Sequence, residues 1–204
     1  MARPREFDET AVLRAAIHCF WSRGYEATSV RDLAEKMGIT GASLYNAFGD
    51  KRSLYRRALA YYVNESFGDR VGRFEGNMPP RQAIAAFFEE IIERSLDDPQ
   101  RKGCMLVNSA LEMAPHDPEF QRAVADVMVQ VEGFFRRSVA AGQSEGTISG
   151  SQSAEDLARL LLSTLLGLRV LARTRPERQL LEGVLRPVLA LLDNRTSPKE
   201  RSPK

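Results

Sequence analysis

The fold is decided by residues 29–48, which read SVRDLAEKMGITGASLYNAF. Two short amphipathic segments flank Gly38, a residue that adopts the left-handed backbone conformation without steric cost. A turn of this length between two short helices is typical of a helix-turn-helix. Ser29 and Thr40 stand where N-caps are expected, and Asp32 completes a carboxylate version of the capping box. The pattern therefore predicts two short helices joined by this turn.

The second of these helices presents small and hydrogen-bonding side chains to solvent. Leu44 and Phe48 point inward, opposite Leu33 and Met37 of the first helix. The groups left on the outer face are Gly41, Ala42, Ser43, Tyr45 and Asn46. Such a face fits the major groove of DNA, where a bulky acidic face does not. The sequence thus indicates a surface for duplex DNA.

The rest of the sequence predicts an all-α protein of about nine helices. Apolar residues recur at helical spacing, and no segment alternates convincingly with a period of two. We expect a three-helix head with the helix-turn-helix at residues 1–56, a helical body at 57–193 and a flexible polar tail at 194–204. A Gly/Ser-rich loop is expected at 142–151. Head and body are therefore separate units in this interpretation.

Charge is distributed unevenly over these units. Residues 1–60 hold 10 Lys and Arg against 7 Asp and Glu, whereas residues 61–193 hold 15 against 19. A basic head on an acidic body is typical of a phosphate-binding module joined to a regulatory one. No apolar signal segment or membrane-length apolar run is present, and two cysteines suit a reducing compartment. We expect a cytoplasmic protein that does not contact the membrane.

The amino-terminal part resembles the TetR (tetracycline-repressor-like) family of bacterial transcription regulators. The matching positions are Phe20, Gly24-Tyr25, Thr28 to Ala34, Gly38-Ile39, Ser43-Leu44-Tyr45, Phe48, Lys51 and Leu54. They cover residues 8–56 densely, whereas the body matches only as a helical pattern of the right length. The resemblance implies a DNA-binding regulator whose body recognises ligands.

The resemblance also implies individual DNA contacts. Ser29 and Arg31 would contact phosphate or bases, and Lys51 would anchor the DNA backbone. The residues implied to face the groove are Thr40, Gly41, Ala42, Ser43, Tyr45 and Asn46, the tyrosine on a phosphate. The chemistry agrees, because Arg31 and Lys51 are charge-assisted phosphate donors and Asn46 can pair with adenine.

Each of these roles has a structural alternative. The Ser29 hydroxyl can serve only as a helix cap, Tyr45 can pack on the domain surface, and Lys51 can be a solvated first-turn residue. Many relatives carry a lysine or arginine near Gly41 and a histidine near Asn46. This sequence therefore has fewer strong donors for the groove.

The last two predicted helices are too apolar to be buried on one side only. One stripe of the first is formed by Leu157, Leu161, Leu165 and Leu168, and other directions are covered by Leu160, Leu162, Leu166, Val170 and Leu171. A helix apolar nearly all round is buried against its own core and a partner. We expect a two-fold homodimer through a four-helix bundle, reading a pseudo-palindromic operator. The alternative is a wholly intrachain core.

The middle helices of the body supply a candidate ligand pocket. Phenylalanine and methionine suit an adaptable apolar pocket, and an asparagine can orient a polar group. The candidates are Phe87, Phe88, Ile91, Cys104, Met105, Asn108, Met113, Phe120, Val124, Met128, Val131 and Phe135. For each of them, ordinary core packing is the alternative.

Cys104 is a candidate sensor of thiol-reactive compounds. It follows Arg101 and Lys102 at a predicted helix N-terminus, and both features favour the thiolate. The alternative is a small buried apolar residue, which is also the expectation for Cys19. No histidine has a partner at metal-ligand spacing, so no metal site is predicted.

These observations favour a dimeric, ligand-responsive repressor that is released from its operator by a small apolar effector or a thiol-reactive compound. The rival is an all-helical enzyme or small-molecule carrier that does not bind DNA. No Ser/His/Asp set, Gly-rich phosphate loop or nucleotide fingerprint supports catalysis or a cofactor. A third interpretation is an activator or architectural DNA protein without a ligand.

Overall fold

The computed structural model describes residues 7–194, and within this range the chain forms nine helices and no strand. They are α1 (Glu9–Arg23), α2 (Val30–Met37), α3 (Gly41–Phe48), α4 (residues 51–74), α5 (Pro80–Leu96), α6 (Met105–Glu112), α7 (Pro118–Ser144), α8 (Ala154–Thr174) and α9 (Arg178–Leu192). The expected all-α fold is confirmed. The predicted flexible tail lies outside the described residues, except for Asn194.

Side-chain caps start most of the helices where the sequence predicts them. The Thr40 hydroxyl accepts the Ser43 amide at 3.1 Å, and the Asp50 carboxylate accepts the Ser53 amide at 2.6 Å. Such caps satisfy backbone donors that the first turn leaves free. Gly38 ends α2 with φ of +67°, the left-handed conformation expected of it. The geometry of the α2–α3 turn is therefore set locally.

The head has its own apolar core, which continues into the body. Leu33 of α2 and Leu44 of α3 are fully buried against α1 and α4. The same core includes Met105 and Leu106 of α6 and Phe120 of α7. The boundary predicted at residue 56 therefore stays a prediction, because helices of the body pack directly on the head.

A second core holds the body together. It joins the end of α4 to α5, α7, α8 and α9, with four phenylalanines in mutual contact at its centre. These are Phe87, Phe88, Phe134 and Phe135, whose neighbouring ring centroids lie 5.2 to 6.0 Å apart. Aromatic side chains bury large apolar areas, so this cluster supplies much of the stabilisation of the body.

Two features of the helices differ from the sequence-based expectation. The middle of α4, Asn64–Gly68, is π-helical between the α-helical parts Lys51–Val63 and Asp69–Phe74. α7 continues through Ser144, so the loop predicted from residue 142 begins later. The reason is tertiary, because Ile148 folds back onto Gly142, leaving no space for a side chain there.

None of the helices in the range 7–194 combines the length and apolar character that a membrane span requires.

Candidate nucleic-acid interface

The outer face of α3 carries the side chains that the sequence assigns to the DNA groove. Tyr45 is 51% exposed, and Ala42 and Asn46 are also exposed. Gly41 and Ser43 are half-buried at the start of the helix. The opposite face of α3 is closed by the buried Leu44 and Phe48. The helix thus stands on the head core with its small and hydrogen-bonding groups accessible.

The two cap residues of the motif are already engaged in hydrogen bonds. The Ser29 hydroxyl accepts the Asp32 amide at 3.1 Å and donates to the Asp32 carboxylate at 2.6 Å. These bonds, with Arg23 at 2.9 Å, lower the pKa of Asp32 to about 2. Thr40 shares its hydroxyl with the amide and hydroxyl of Ser43. Both hydroxyls therefore cap helices, and a DNA contact could use only the hydrogen-bonding positions that the caps leave free.

The positive charge of the motif comes from the helices before and after α3, because α3 itself contains no charged residue. Arg31 is exposed in the first turn of α2 and forms no ion pair within the described part of the chain. Lys51 begins α4, half-buried, with its ammonium 4.2 Å from the centre of the Tyr25 ring. The two cations therefore stand in the first turns of the helices that precede and follow α3 in the chain, as expected of phosphate contacts.

The sequence did not reveal the polar junction between head and body. The Glu112 carboxylate of α6 accepts the amides of Tyr25 at 2.8 Å and Glu26 at 3.1 Å. The buried hydroxyls of Tyr55 and Ser109 are hydrogen bonded at 2.8 Å. Because these partners lie more than 50 residues apart in the sequence, no local pattern could have identified them.

A second ion-paired contact joins α4 to the start of α7. The Arg52 guanidinium donates to both oxygens of Asp117, at 2.6 and 2.8 Å. Arg52 and Arg56 also pair with Glu119. Bidentate arginine–carboxylate pairs fix the relative orientation of the two side chains. The start of α4, which follows α3 directly, is therefore attached to the body.

The candidate ligand-pocket residues fall into two groups. Phe87, Ile91, Cys104 and Val131 line a small cavity of about 50 Å³ between α4, α5, α6, α7 and α8. The other eight do not line it. Phe88 and Phe135 pack in the body core, whereas Met105, Met113, Phe120, Val124 and Met128 pack on the head core. Phenylalanine and methionine fill cores as readily as pockets, so residue type alone could not separate the groups.

Asn108, the remaining candidate that does not line the cavity, has a structural role near the surface. Its amide donates to the Lys102 carbonyl at 3.1 Å, and its oxygen accepts from Arg173 at 2.9 Å. It therefore holds the loop before α6 and does not point into the cavity.

Cys104 is the N-cap residue of α6 and is half-buried at the cavity wall. The Tyr62 hydroxyl donates to its sulfur at 3.7 Å. The neighbouring Lys102 ammonium lies 4.8 Å from the Trp21 ring centre and 3.7 Å from Asp98. One of the two expected cations is therefore already paired elsewhere. Cys19 packs in the head core as expected, and burial raises the pKa of its thiol.

The last two helices leave part of their apolar surface uncovered. Leu160 and Val170 of α8 and Leu191 of α9 are 37%, 47% and 53% exposed. A side chain added at Gly167 or Gly183 would meet nothing within 4 Å. The described chain thus ends in a two-helix face that is open and partly apolar.

Comparison with known proteins covers both halves of the chain. Residues 12–58 match the family described as bacterial regulatory proteins, tetR family, and residues 80–188 match the tetracyclin repressor-like C-terminal domain. YezE of Bacillus subtilis, named an uncharacterized HTH-type transcriptional regulator, is 34% identical over 95% of this chain and 100% of its own length. The Escherichia coli HTH-type transcriptional repressor ComR is 27% identical over 84% of this chain and 82% of its own.

A solved structure resembles the whole chain. It is a cysteine-substituted variant of the TetR family transcriptional regulator CifR in complex with 26-base-pair double-strand operator DNA. The two chains are 32% identical, with a TM-score of 0.82, over 94% of this chain and 100% of the other.

Proposed function

Because this chain belongs to the TetR family of bacterial transcription regulators, we propose that it is a dimeric, ligand-responsive repressor that binds a pseudo-palindromic operator through α2 and α3. Membership of the family makes it a DNA-binding regulator rather than an enzyme. The operator, the dimer and the effector are inferences of our own for this chain.

The proposal that this chain binds an operator through α2 and α3 rests on the exposed face of α3. Asn46 offers a side-chain amide at the centre of that face, and Tyr45 a phenol beside it. Arg31 and Lys51 supply charge for phosphates on either side. Such a division between groove readers in the middle and phosphate anchors at the edges is the usual arrangement of helix-turn-helix proteins.

The open face of α8 and α9 supports the dimer. Exposed leucine and valine side chains beside two glycines allow another pair of helices to approach closely. A two-fold pairing would present two α3 helices to successive turns of the major groove, and the operator would then share the symmetry.

The cavity beside α4 supports the effector. α4 carries cavity residues on its second half, while its first residue, Lys51, is the proposed phosphate anchor. A ligand that binds one position of α4 better than another would change the separation of the two heads, and therefore the affinity for DNA. A reagent that modifies Cys104 at the cavity wall would act on the same helix.

Replacement of Tyr45 and Lys51 by alanine tests the DNA-binding assignment. We expect Tyr45→Ala/Lys51→Ala to lose operator binding in a gel shift on the DNA flanking its own gene, and to keep the oligomeric state of the wild type. For Lys51→Ala alone, the salt dependence of binding should fall, because each lost phosphate contact reduces the slope of log K against log salt by about 0.9.

Arg136→Ala, at an exposed arginine of α7, is the matched control and should bind DNA like the wild type. Unchanged operator affinity of the double variant would contradict the assignment of α3 to the groove.

A further inference from the structure

A large polar cleft opens between the head and the body on the side of α1. Its volume is about 590 Å³, and its walls come from α1, α4, α8, the end of α5 and the loop before α6. Six cationic side chains line it, against three carboxylates. The cations are Arg14, Arg70, Arg94, Arg101, Lys102 and Arg169, and the carboxylates are Glu65, Asp97 and Asp98. The cleft therefore carries excess positive charge.

The cations of the cleft are unequally paired. Arg14 pairs with Glu65 at 3.0 Å, and Lys102 with Asp98 at 3.7 Å. At the inner end of the cleft, where it meets the apolar cavity, Arg169 forms no ion pair with any described residue, and its closest polar contact is the Ser95 hydroxyl at 3.4 Å. Arg169 is thus a half-buried cation without a neutralising carboxylate.

Arg70 adds a second guanidinium at the same place. It is only 4% exposed, and it donates to Glu90 at 3.0 Å and to the Ser66 carbonyl at 2.6 Å. Glu90 is shared with Arg73 and Arg94, and Arg73 also pairs with Asp69 at 2.9 Å. Burial and the nearby charge of Arg169 lower the pKa of Arg70. With Arg169 unpaired, these guanidinium groups leave positive charge that a further anion would neutralise.

The inner end of the cleft is also the wall of the apolar cavity. Tyr62, Ser66, Arg70 and Arg169 line both spaces. Beyond them the cavity is walled mostly by apolar side chains, among them Phe87, Ile91 and Leu165. A ligand at this boundary would meet cations at one end and hydrocarbon at the other.

We propose that the boundary between cleft and cavity binds a small organic acid, with its carboxylate between Arg169 and Arg70 and a short apolar tail in the cavity. Guanidinium groups bind carboxylates through two parallel hydrogen bonds, and a pocket that combines few polar groups with apolar walls sets orientation. The inference rests on the proposed function in one respect, since it names the chemical class of the effector. The proposal also gives a role to Arg70 and Arg169, which the sequence shows only as charged residues within predicted helices.

Direct binding to the full-length protein without DNA tests this site. Butanoate, its neutral analogue butanamide, and acetate are titrated by calorimetry, with the fluorescence of Trp21 as a second signal. Trp21 is the single tryptophan of the chain; it lines the cleft, and its ring centre lies 5.1 Å from that of Tyr62. We expect butanoate to bind at least tenfold more tightly than either of the other two compounds.

Variants then assign the binding to the arginine. Arg169→Gln should lose at least tenfold in affinity for butanoate, Arg169→Lys should lose less, and Arg136→Gln outside the cleft should bind like the wild type. Circular dichroism melts check that each variant is folded. Equal binding of butanoate and butanamide, or an unaffected Arg169→Gln, would overturn the proposal. Equal binding of acetate and butanoate would overturn it as well, because the apolar cavity would then take no part.

The operator assay separates this proposal from the proposed function. Operator binding without any butanoate binding would overturn the acid site and leave the regulator intact. Butanoate binding that leaves the operator complex unchanged would support the site and contradict its role as effector site.

Discussion

At the residue scale, two hydrogen bonds to Asp32 limit which DNA groups the Ser29 hydroxyl can contact. Its hydroxyl donates its only proton to Asp32 and accepts the Asp32 amide, so it contributes one remaining lone pair and no proton to a DNA contact. A phosphate oxygen, which is an acceptor, therefore cannot bind this hydroxyl while the capping box is intact. The backbone amides of the first turn of α2 and the Arg31 side chain are better placed to act there.

The ionisation of Tyr55 affects stability, because its phenol is buried. Burial raises its pKa to about 12, against 10 for a free tyrosine. The unfolded chain therefore loses this proton first, and the folded state loses stability as the pH rises from 10 to 12. Linkage predicts a loss of roughly 2 to 3 kcal/mol over this range.

The variant Tyr55→Phe tests this prediction by urea unfolding. At pH 8 we expect it to be about 1 kcal/mol less stable than the wild type, because the bond to the Ser109 hydroxyl is lost. Near pH 12 it should be the more stable of the two. Ser109→Ala is the matched control, since it removes the same hydrogen bond and keeps the phenol. An equal alkaline loss of stability in the wild type and in Tyr55→Phe would contradict the prediction.

At the scale of the element, the two glycines of α7 should respond oppositely to alanine. A methyl group at Gly142 would lie 2.5 Å from the buried Ile148, whereas at Gly133 it would meet only the flexible end of Arg137 at 3.2 Å. We expect Gly142→Ala to lower the free energy of unfolding by about 1 to 3 kcal/mol through overpacking. Gly133→Ala should raise it by up to about 1 kcal/mol through helix propensity.

Chemical unfolding of both variants measures this contrast. A rise in the free energy of unfolding of Gly142→Ala would show that Ile148 moves aside, and that the end of α7 is not fixed by that contact. A fall for Gly133→Ala would contradict the prediction for that position.

The elements also show what local sequence can and cannot predict. Helix starts at Ser29, Thr40 and Asp50 were predictable, because a cap and the amide that it accepts lie within three residues. The exposed face of α3 followed from its spacing alone. The π-helical part of α4 left no signal in the sequence. The end of α7 depends on Ile148 packing back onto Gly142, a contact that no capping pattern encodes.

The candidate site divides in the same way. Residues with a role on a single helix face, such as Tyr45 and Asn46, could be found from the sequence. The cluster of Arg70, Arg169 and Glu90 could not, because Arg169 of α8 is distant in the chain from Arg70 of α4 and Glu90 of α5. Arg169 did leave one signal in the sequence, since it places a charge within the leucine-rich stretch of α8.

The π-helical segment lies where the two spaces of the body meet. Ser66 belongs to it and lines both the cleft and the cavity, and its carbonyl accepts from Arg70. π-Helical turns within α-helices are frequent at functional sites. A ligand that draws Arg70 away from Ser66 would therefore act on the least regular part of α4.

At the scale of the whole molecule, the open face of α8 and α9 makes the oligomeric state testable. Val170→Glu places a charge on this face, and we expect it to give a sedimentation-equilibrium mass near that of one chain, 22.8 kDa, where the wild type gives twice that mass. Val129→Glu is the matched control, because Val129 is 67% exposed on α7. It should stay dimeric.

Both variants change exposed positions, so both should fold. A wild-type mass of one chain at micromolar concentration, or a dimeric Val170→Glu, would contradict an interface built on this face. Loss of the dimer should also weaken operator binding, because a single head makes half of the phosphate contacts.

Head and body are joined by polar contacts and by a shared apolar core. Glu112 holds the amides of Tyr25 and Glu26, and Arg52 holds Asp117. α6 and α7 are therefore attached to the chain just before α2 and just after α3, so the body holds both ends of the motif.

The core that runs from α1 across to α6 and α7 has a practical consequence for protein engineering. A designer who wishes to give another regulator the operator preference of this chain cannot transplant its first fifty-six residues alone, since Met105, Leu106 and Phe120 would be left behind and bare hydrocarbon would face water on both sides of the splice. A transferable cassette must carry those docking side chains along, or the recipient must already possess matching ones.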